Sequence, residues 1–435
     1  MTPFSAIFVR QELRDAVSDR AWLQGMLDAE RALARAGAAV GLVPEDAATR
    51  IGEACRAELY EPARIADDGR AAGNPAEPLV RELRDAVGDA TAGYVHLGAT
   101  SQDIVDTAAM LVCRRATELV LAELDRLADG CAALADAHRS TPMAARTLLQ
   151  QAVPTTFGLK AAGWLATVLE ARRRLATVRE ERLAAQLGGA AGTLAALGDE
   201  ALEVVRLYAE ELALAEPLLP WHTNRQRVAE LGAALDGVAG AAAKIGRDIV
   251  LLAQSEVGEV AEGSGGRSST MPQKRNPVRS TLAVACARLA NAHAGVLLGG
   301  LAHEHERGVG GWHAEWEALS GALAFAGGAA AAAADAVADL EVDAGRMRTN
   351  LEASGGLLVA ERVAFALAPR LGHSRAHDLV AEAARARSFR EALLADERTG
   401  LSTDELDALL DPTGYLGAAE ALVSRALGEY EEARA

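Results

Sequence analysis

Between residues 228 and 252, apolar side chains recur at alternating spacings of three and four: Val228, Leu231, Leu235, Val238, Ala242, Ile245, Ile249 and Leu252. A stripe of this period lies on one face of an α-helix and stays buried only if the helix packs along its length against other helices with a left-handed crossing. Gly232, Gly237, Gly240 and Gly246 share the segment. Each weakens the helix by roughly 1 kcal/mol, so their presence implies close approach between helices. A seam this long needs more helix surface than one chain supplies, which favours an oligomer.

The remainder of the sequence extends this helical pattern. Long helices are expected from Ser101 to His138, from Thr155 to Gln186, and after Pro277. No segment alternates convincingly like a strand. The first hundred residues read as shorter helices punctuated by Pro44, Pro62, Pro75 and Pro78; the last ninety are again short, with a break at Asp411-Pro412-Thr413-Gly414. A chain of 435 residues exceeds one small core. The expected architecture is therefore all-α and three-part: residues 1–100, a long-helix bundle over 101–340, and residues 341–435. Aromatic residues make up only 4%, and strong helix formers dominate.

The formal charge of −17 argues against a nucleic-acid partner, which would need clustered Lys and Arg. An anionic substrate would require a local cationic pocket. Cys55, Cys113, Cys131 and Cys286 are scattered without metal-ligand spacing and read as reduced core thiols. The N-terminus reaches charged residues too early for a secretory signal, so a cytoplasmic location is expected. The Ala/Gly-rich stretch from Gly321 to Ala334 reads as too short to span a membrane.

Three polar segments interrupt the helices. His96-Leu-Gly-Ala-Thr100-Ser101-Gln102-Asp103 has the form of a helix start, with Thr100 or Ser101 as N-cap. Free N–H groups and hydroxyls there favour a carboxylate. Arg146-Thr147-Leu148-Leu149-Gln150-Gln151 offers a cation, a hydroxyl and two amides in what reads as a loop entering a helix. The third segment, residues 263–277, combines Gly263, Gly265 and Gly266 with Ser268, Ser269, Met271, Lys274 and Asn276. Its glycines suit a movable lid. It is not a phosphate-binding loop, because no Gly-Lys-Ser/Thr follows them.

These segments resemble the three signatures of the fumarase/aspartase superfamily. SSTMPQKRNP (residues 268–277) is similar to its SSxMPxKxNP motif, HLGATSQD to the first signature of its adenylosuccinate-lyase-like branch, and RTLLQQAVP to its second segment, in family order. Within the superfamily the likeness is strongest to the carboxymuconate cycloisomerase branch. It is carried by residues 18–36, 71–80, 186–198, 221–227, 304–319 and 409–419. The resemblance implies the family's three-domain all-α fold with a twenty-helix core built by a homotetramer. It also implies active sites shared between subunits, a small polycarboxylate substrate, no metal or organic cofactor, and neither nucleic acid nor membrane as a partner.

The resemblance makes Ser268 the catalytic base. Lys274 and Asn276 would bind a substrate carboxylate, with His96, Thr100, Ser101, Gln102, Arg146, Thr147, Gln150, Ser269 and Met271 completing the substrate contacts. A serine hydroxyl is too weak an acid for that role unless its surroundings stabilise the alkoxide. Three positions depart from the common family pattern: Leu148 and Gln151 stand where relatives carry histidine, and Arg267 where most have glycine. The second segment therefore lacks a general acid. A carboxylate, whose conjugate acid has a pKa of about 4, needs none as leaving group or as nucleophile. This favours lactonisation of a carboxymuconate. The alternative is a lyase that expels a good leaving group from a substituted succinate to give fumarate: nitrite from nitrosuccinate, with Arg146, Arg267 or Arg307 on the nitro group, or, less favoured, adenylosuccinate cleavage; a non-catalytic crystallin-like relative is the third reading. His303, His305 and His313 near Trp312 and Trp316 read as a packed junction rather than a metal site, and Trp22, Trp164 and Trp221 as core.

Overall fold

The computed structural model describes residues 4–264, 266–267, 271 and 274–434. The protein is all-α in class, as expected. The N-terminal region contains one long helix, α1 (Asp19–Ala39), among short ones, and the other helices longer than twenty residues are α2 (Ser101–Ala137), α3 (Phe157–Glu181), α4 (Gln226–Leu252), α5 (Val278–Gly299) and α6 (Gly311–Ala338). All eight residues of the heptad-like stripe on α4 are buried, none more than 4% exposed. Of its glycines, Gly232 sits where a Cβ would lie 3.0 Å from Leu297 Cβ on α5. Gly237 and Gly240 face open space within the chain, so close packing is seen at only one of these three positions.

Contacts divide the chain into two compact units: residues 1–125, 170–243 and 282–332, and residues 126–169, 244–281 and 333–435. In the first, α1 buries Leu23, Met26, Leu27, Ala29 and Leu33. In the second, Val363, Leu367, Ala376, Leu379, Phe389, Leu393 and Leu406 form the core beneath the C-terminal helices. The break read at residues 411–414 is a 3-10 turn, Pro412–Tyr415, in which Asp411 accepts the Thr413 N–H at 3.0 Å.

Short strands depart from the purely helical reading. Residues 142–156 are an antiparallel hairpin, β1 (Pro142–Thr147) and β2 (Gln150–Thr156), not a loop entering a helix. Its tip is Leu148-Leu149, both at positive φ (50° and 64°), as a two-residue hairpin turn demands. β3 (Val260–Glu262) pairs with β6 (Leu340–Val342), and β4 (Gly266–Arg267) with β5 (Arg275–Asn276). These runs are too short for periodicity to reveal.

Trp164 and Trp221 are buried, whereas Trp22 is half-buried and donates its indole N–H to Ser320 at 2.9 Å. All four cysteines are buried and unbridged, and burial pushes the thiols of Cys113 and Cys286 up to about 12. The stretch from Gly321 to Ala334 belongs to the 28-residue α6, which by length and composition alone could cross a bilayer, as could α5. The most apolar window of α6 is 78% buried within the protein, as in a core helix, against 33% for α5. On α5, Val278, Leu289 and Val296 are all exposed. Their spacing of eleven and seven residues is close to whole turns of helix, so they share one apolar face.

Candidate active site

In the first unit the chain enters α2 through residues 96–100. Thr100 occupies the N-cap, and Asp103, at the third helical position, accepts its backbone N–H at 2.9 Å. This is the return half of a capping box. Asp103 has no exposure and accepts four further contacts: Gln186 Nε2 (3.1 Å), Gly188 N (3.0 Å), Gly189 N (2.9 Å) and His222 Nε2 (2.7 Å). One carboxylate thus ties the helix start to residues 186–189 and to His222. The glycines allow the approach. Gly98 has φ +75°, and a Cβ there would lie 2.5 Å from Leu197 Cδ2; a Cβ on Gly189 would lie 2.8 Å from the Gly98 carbonyl.

The hydroxyls of Thr100 and Ser101 are half-buried and have no hydrogen-bond partner among the described residues. Gln102 is fully buried, with both ends of its amide engaged. Nε2 donates to Asp106 (3.1 Å) and to the His222 carbonyl (2.9 Å), while Oε1 accepts Arg307 Nη1 at 3.3 Å. Arg307 also donates to the Ala190 carbonyl at 2.9 Å, and has no carboxylate partner among the described residues. His96 is at φ 64°, a left-handed conformation that costs a non-glycine residue energy. Its Nδ1 lies 2.6 Å from Glu30 Oε1. Residues 96–102 at this helix start thus carry an imidazole, two hydroxyls and an amide that accepts Arg307, a set of groups suited to carboxylate binding.

Beneath this lies a buried charge network. Arg225, 1% exposed, reaches Asp106 through Nη1 at 2.8 Å and Glu315 through Nε at 3.0 Å, and lies over the Trp221 ring at 4.8 Å. Trp312 donates to Asp106 at 3.0 Å. Burial raises the Glu315 carboxyl despite Arg225. The His303 side chain lies beside Glu315 with little exposure, its Nε2 3.7 Å from Oε1, and burial together with Arg225 lowers its basicity. Among the described residues, no group of three or more His, Cys, Asp or Glu side chains is placed to hold a metal.

The second unit carries the other two segments. Arg146, on β1, is held by Glu259 through Nη1–Oε2 (2.8 Å) and Nη2–Oε1 (2.6 Å), and Asn350 also donates to Glu259 at 2.8 Å. Thr147 and Gln150 are partners in the β1–β2 ladder on either side of the exposed tip, Leu148 being 95% exposed. Ser268 and Ser269 lie outside the described residues. Of the described residues flanking them, Gly266 pairs with Asn276 in the β4–β5 ladder and Asn276 Nδ2 donates to the Gly266 carbonyl at 3.4 Å. Lys274 and Met271 are exposed, and the Lys274 N–H donates to the Met271 carbonyl at 3.1 Å. Glu262 anchors the exit by accepting the N–H (2.8 Å) and hydroxyl (2.7 Å) of Ser280 at the start of α5.

Sequence reasoning missed Glu30, Asp106, Arg225, Glu259 and Glu315 as parts of these arrangements. The available signal was a charged residue on a helix face otherwise apolar, as with Asp103 and Asp106 in α2 and Glu30 in α1. A buried charge of this kind must be paired.

Residues 9–290 match the family model described as lyase, and residues 356–426 that described as adenylosuccinate lyase C-terminus. The chain is 49% identical to a 3-carboxy-cis,cis-muconate cycloisomerase of Pseudomonas aeruginosa, covering 98% of this chain and 96% of that one. It is 48% identical to a nitrosuccinate lyase of Streptomyces davaonensis, covering 95% and 91%. The crystal structure of a 3-carboxy-cis,cis-muconate lactonizing enzyme from Pseudomonas putida superposes with a TM-score of 0.93 at 44% identity, covering all of both chains.

Proposed function

This chain belongs to the fumarase/aspartase lyase superfamily, and we propose that it is a cycloisomerase that reversibly lactonises 3-carboxy-cis,cis-muconate to 4-carboxymuconolactone. The observation that carries the reading, beside near full-length likeness to such enzymes, is the composition of the β1–β2 tip. Leu148 and Leu149, followed by Gln150 and Gln151, put no acid or base on the hairpin tip. An amine or hydroxide leaving group would need a proton there; a carboxylate adding to a double bond does not.

In the forward direction a substrate carboxylate oxygen bonds to an alkene carbon. The π electrons move to the neighbouring carbon, beside another carboxylate, and give an aci-carboxylate. Ser268 then delivers a proton to that carbon and recovers one from water. One proton is taken up overall, matching the carboxylate charge lost in the lactone. The costly species is the aci-carboxylate, so catalysis requires donors aimed at it in advance. We assign Lys274 and Asn276 to that carboxylate, with Ser269 and Met271 beside them. Thr100, Ser101, His96 and Arg307 hold another carboxylate, Arg307 being positioned by Gln102. Arg146, neutralised by Glu259, shapes the hairpin that carries Thr147 and Gln150.

The same reading makes the protein a cytoplasmic homotetramer whose protomers share active sites. The exposed apolar face of α5 and the exposed leucines of the hairpin tip support it. A second reading, elimination of nitrite from nitrosuccinate, is favoured by the 48% identity to a nitrosuccinate lyase and by Arg307, which suits a nitro group as well as a carboxylate. Purified protein assayed against both compounds decides. Loss of the ultraviolet absorbance of 3-carboxymuconate supports the cycloisomerase; fumarate released from nitrosuccinate, with carboxymuconate untouched, replaces it.

A further inference from the structure

Glu30 on α1 is a buried carboxylate with no role in the reaction as set out above. It is 1% exposed; Oε1 lies 2.6 Å from His96 Nδ1, and Oε2 has no hydrogen-bond partner. Two other buried acids of this unit are otherwise engaged. Asp28 is bonded to Arg31 (2.9 Å) and Arg115 (2.8 Å), and Asp103 to the five groups described above. A carboxylate this deeply buried is strongly disfavoured without a cation, and His96 is the basic group hydrogen-bonded to it. The His96 ring is 15% exposed, and its Nε2 has no partner among the described residues. The left-handed backbone at His96 adds an independent sign. Residues held in this way cluster at active sites and ligand clamps.

We propose that Glu30 is a positioning residue. It fixes His96 with Nδ1–H directed at Glu30 and pairs with the imidazolium when it forms, so that Nε2–H is presented to a substrate carboxylate beside Thr100 and Ser101. The inference rests on the functional reading above, to which it adds how the histidine is charged and aimed. Around His96, Glu30 and Asp103 favour the imidazolium, Arg84 and burial oppose it, and the balance raises its pKa. Without Glu30 the opposing groups gain, and the ring becomes neutral at lower pH.

The test compares the pH dependence of kcat/KM for 3-carboxymuconate in wild type, Glu30→Gln and Glu30→Asp. If His96 must be protonated, the alkaline limb in Glu30→Gln moves down by about one pH unit, equivalent to a tenfold loss above that limb. The loss appears mainly in KM and is smallest near pH 6. Glu30→Asp shifts the limb less, and in the same direction; it serves also if Glu30→Gln does not fold. A limb unmoved in both variants overturns the proposal. Nitrogen-15 imidazole spectra of the substrate-free wild type, with His96 assigned by its absence in His96→Gln, test the pair independently of substrate. A proton on Nδ1 and titration above 6.5 support the pair; a proton confined to Nε2, or titration below 6.5, overturns it. The expected spectra from a protein that does not lactonise carboxymuconate would sustain the pair and discard the substrate reading instead.

Discussion

Arg146 and Glu259 are joined by two N–H···O bonds, 2.8 and 2.6 Å long, and the carboxylate of the pair is wholly withdrawn from solvent. A bidentate guanidinium of this kind is fixed in direction as well as charge. Removing it leaves Glu259 buried with Asn350 as its remaining side-chain donor. Arg146→Ala is expected to lose about 3 kcal/mol of stability, the usual scale for breaking a buried pair from one side. Chemical denaturation measures this, and a loss below about 0.5 kcal/mol, the scale of a solvated surface pair, would contradict it.

His96 gives stability a definite pH dependence. Its pKa in the folded protein is raised above 6.5, so the contribution is fully present below 6.5 and is lost as the pH rises through the higher folded value. The stability gap between wild type and His96→Gln should therefore be widest near pH 5.5 and shrink towards pH 8.5. Thermal melts across that range test the sign, and a gap that widens with pH contradicts it.

Ser268 is assigned the proton transfer to carbon. Ser268→Ala should lower kcat by ~10³ or more, as for other residues that act directly on the reacting atoms, with the circular dichroism spectrum and melting temperature unchanged. Turnover within tenfold of wild type would remove the serine from the chemistry.

Arg307 is the cation placed against Gln102 with no carboxylate of its own among the described residues. Arg307→Gln should raise KM by about tenfold to a hundredfold, the 1.4–2.8 kcal/mol of a lost charge-assisted contact. An unchanged KM would mean the guanidinium serves only its contacts within the protein, Gln102 and the Ala190 carbonyl.

The exposed face of Val278, Leu289 and Val296 is assigned to contact between copies of the chain. A charge buried at such a contact is costly. Leu289→Glu should therefore lower the sedimentation coefficient at micromolar concentration. An unaltered coefficient places this face outside the interface.

The helical elements were readable because their burial is periodic over many turns. The stripe on α4 is buried at every one of its eight positions. The β1–β2 hairpin was not readable. Its strands are six and seven residues long, Pro154 lies within one of them, and the turn uses two leucines at positive φ where Asn-Gly would have signalled it. The polar segment at residues 96–103 was visible as a helix start, with its cap at one of the two positions foreseen. Its support was not visible: Glu30 and His222 lie 66 and 119 residues from their partners His96 and Asp103, and no local pattern links them.

The seclusion of the four cysteines has a practical consequence. Burial holds Cys113 and Cys286 up at about 12 and raises Cys55 and Cys131 as well, so near neutral pH almost none of their sulfur is thiolate, the form that reagents attack. A single cysteine introduced by Leu148→Cys, at a site 95% open to solvent, would react alone with a fluorophore or spin label. The hairpin tip could then be followed through a catalytic cycle without first stripping the protein of its native sulfhydryls.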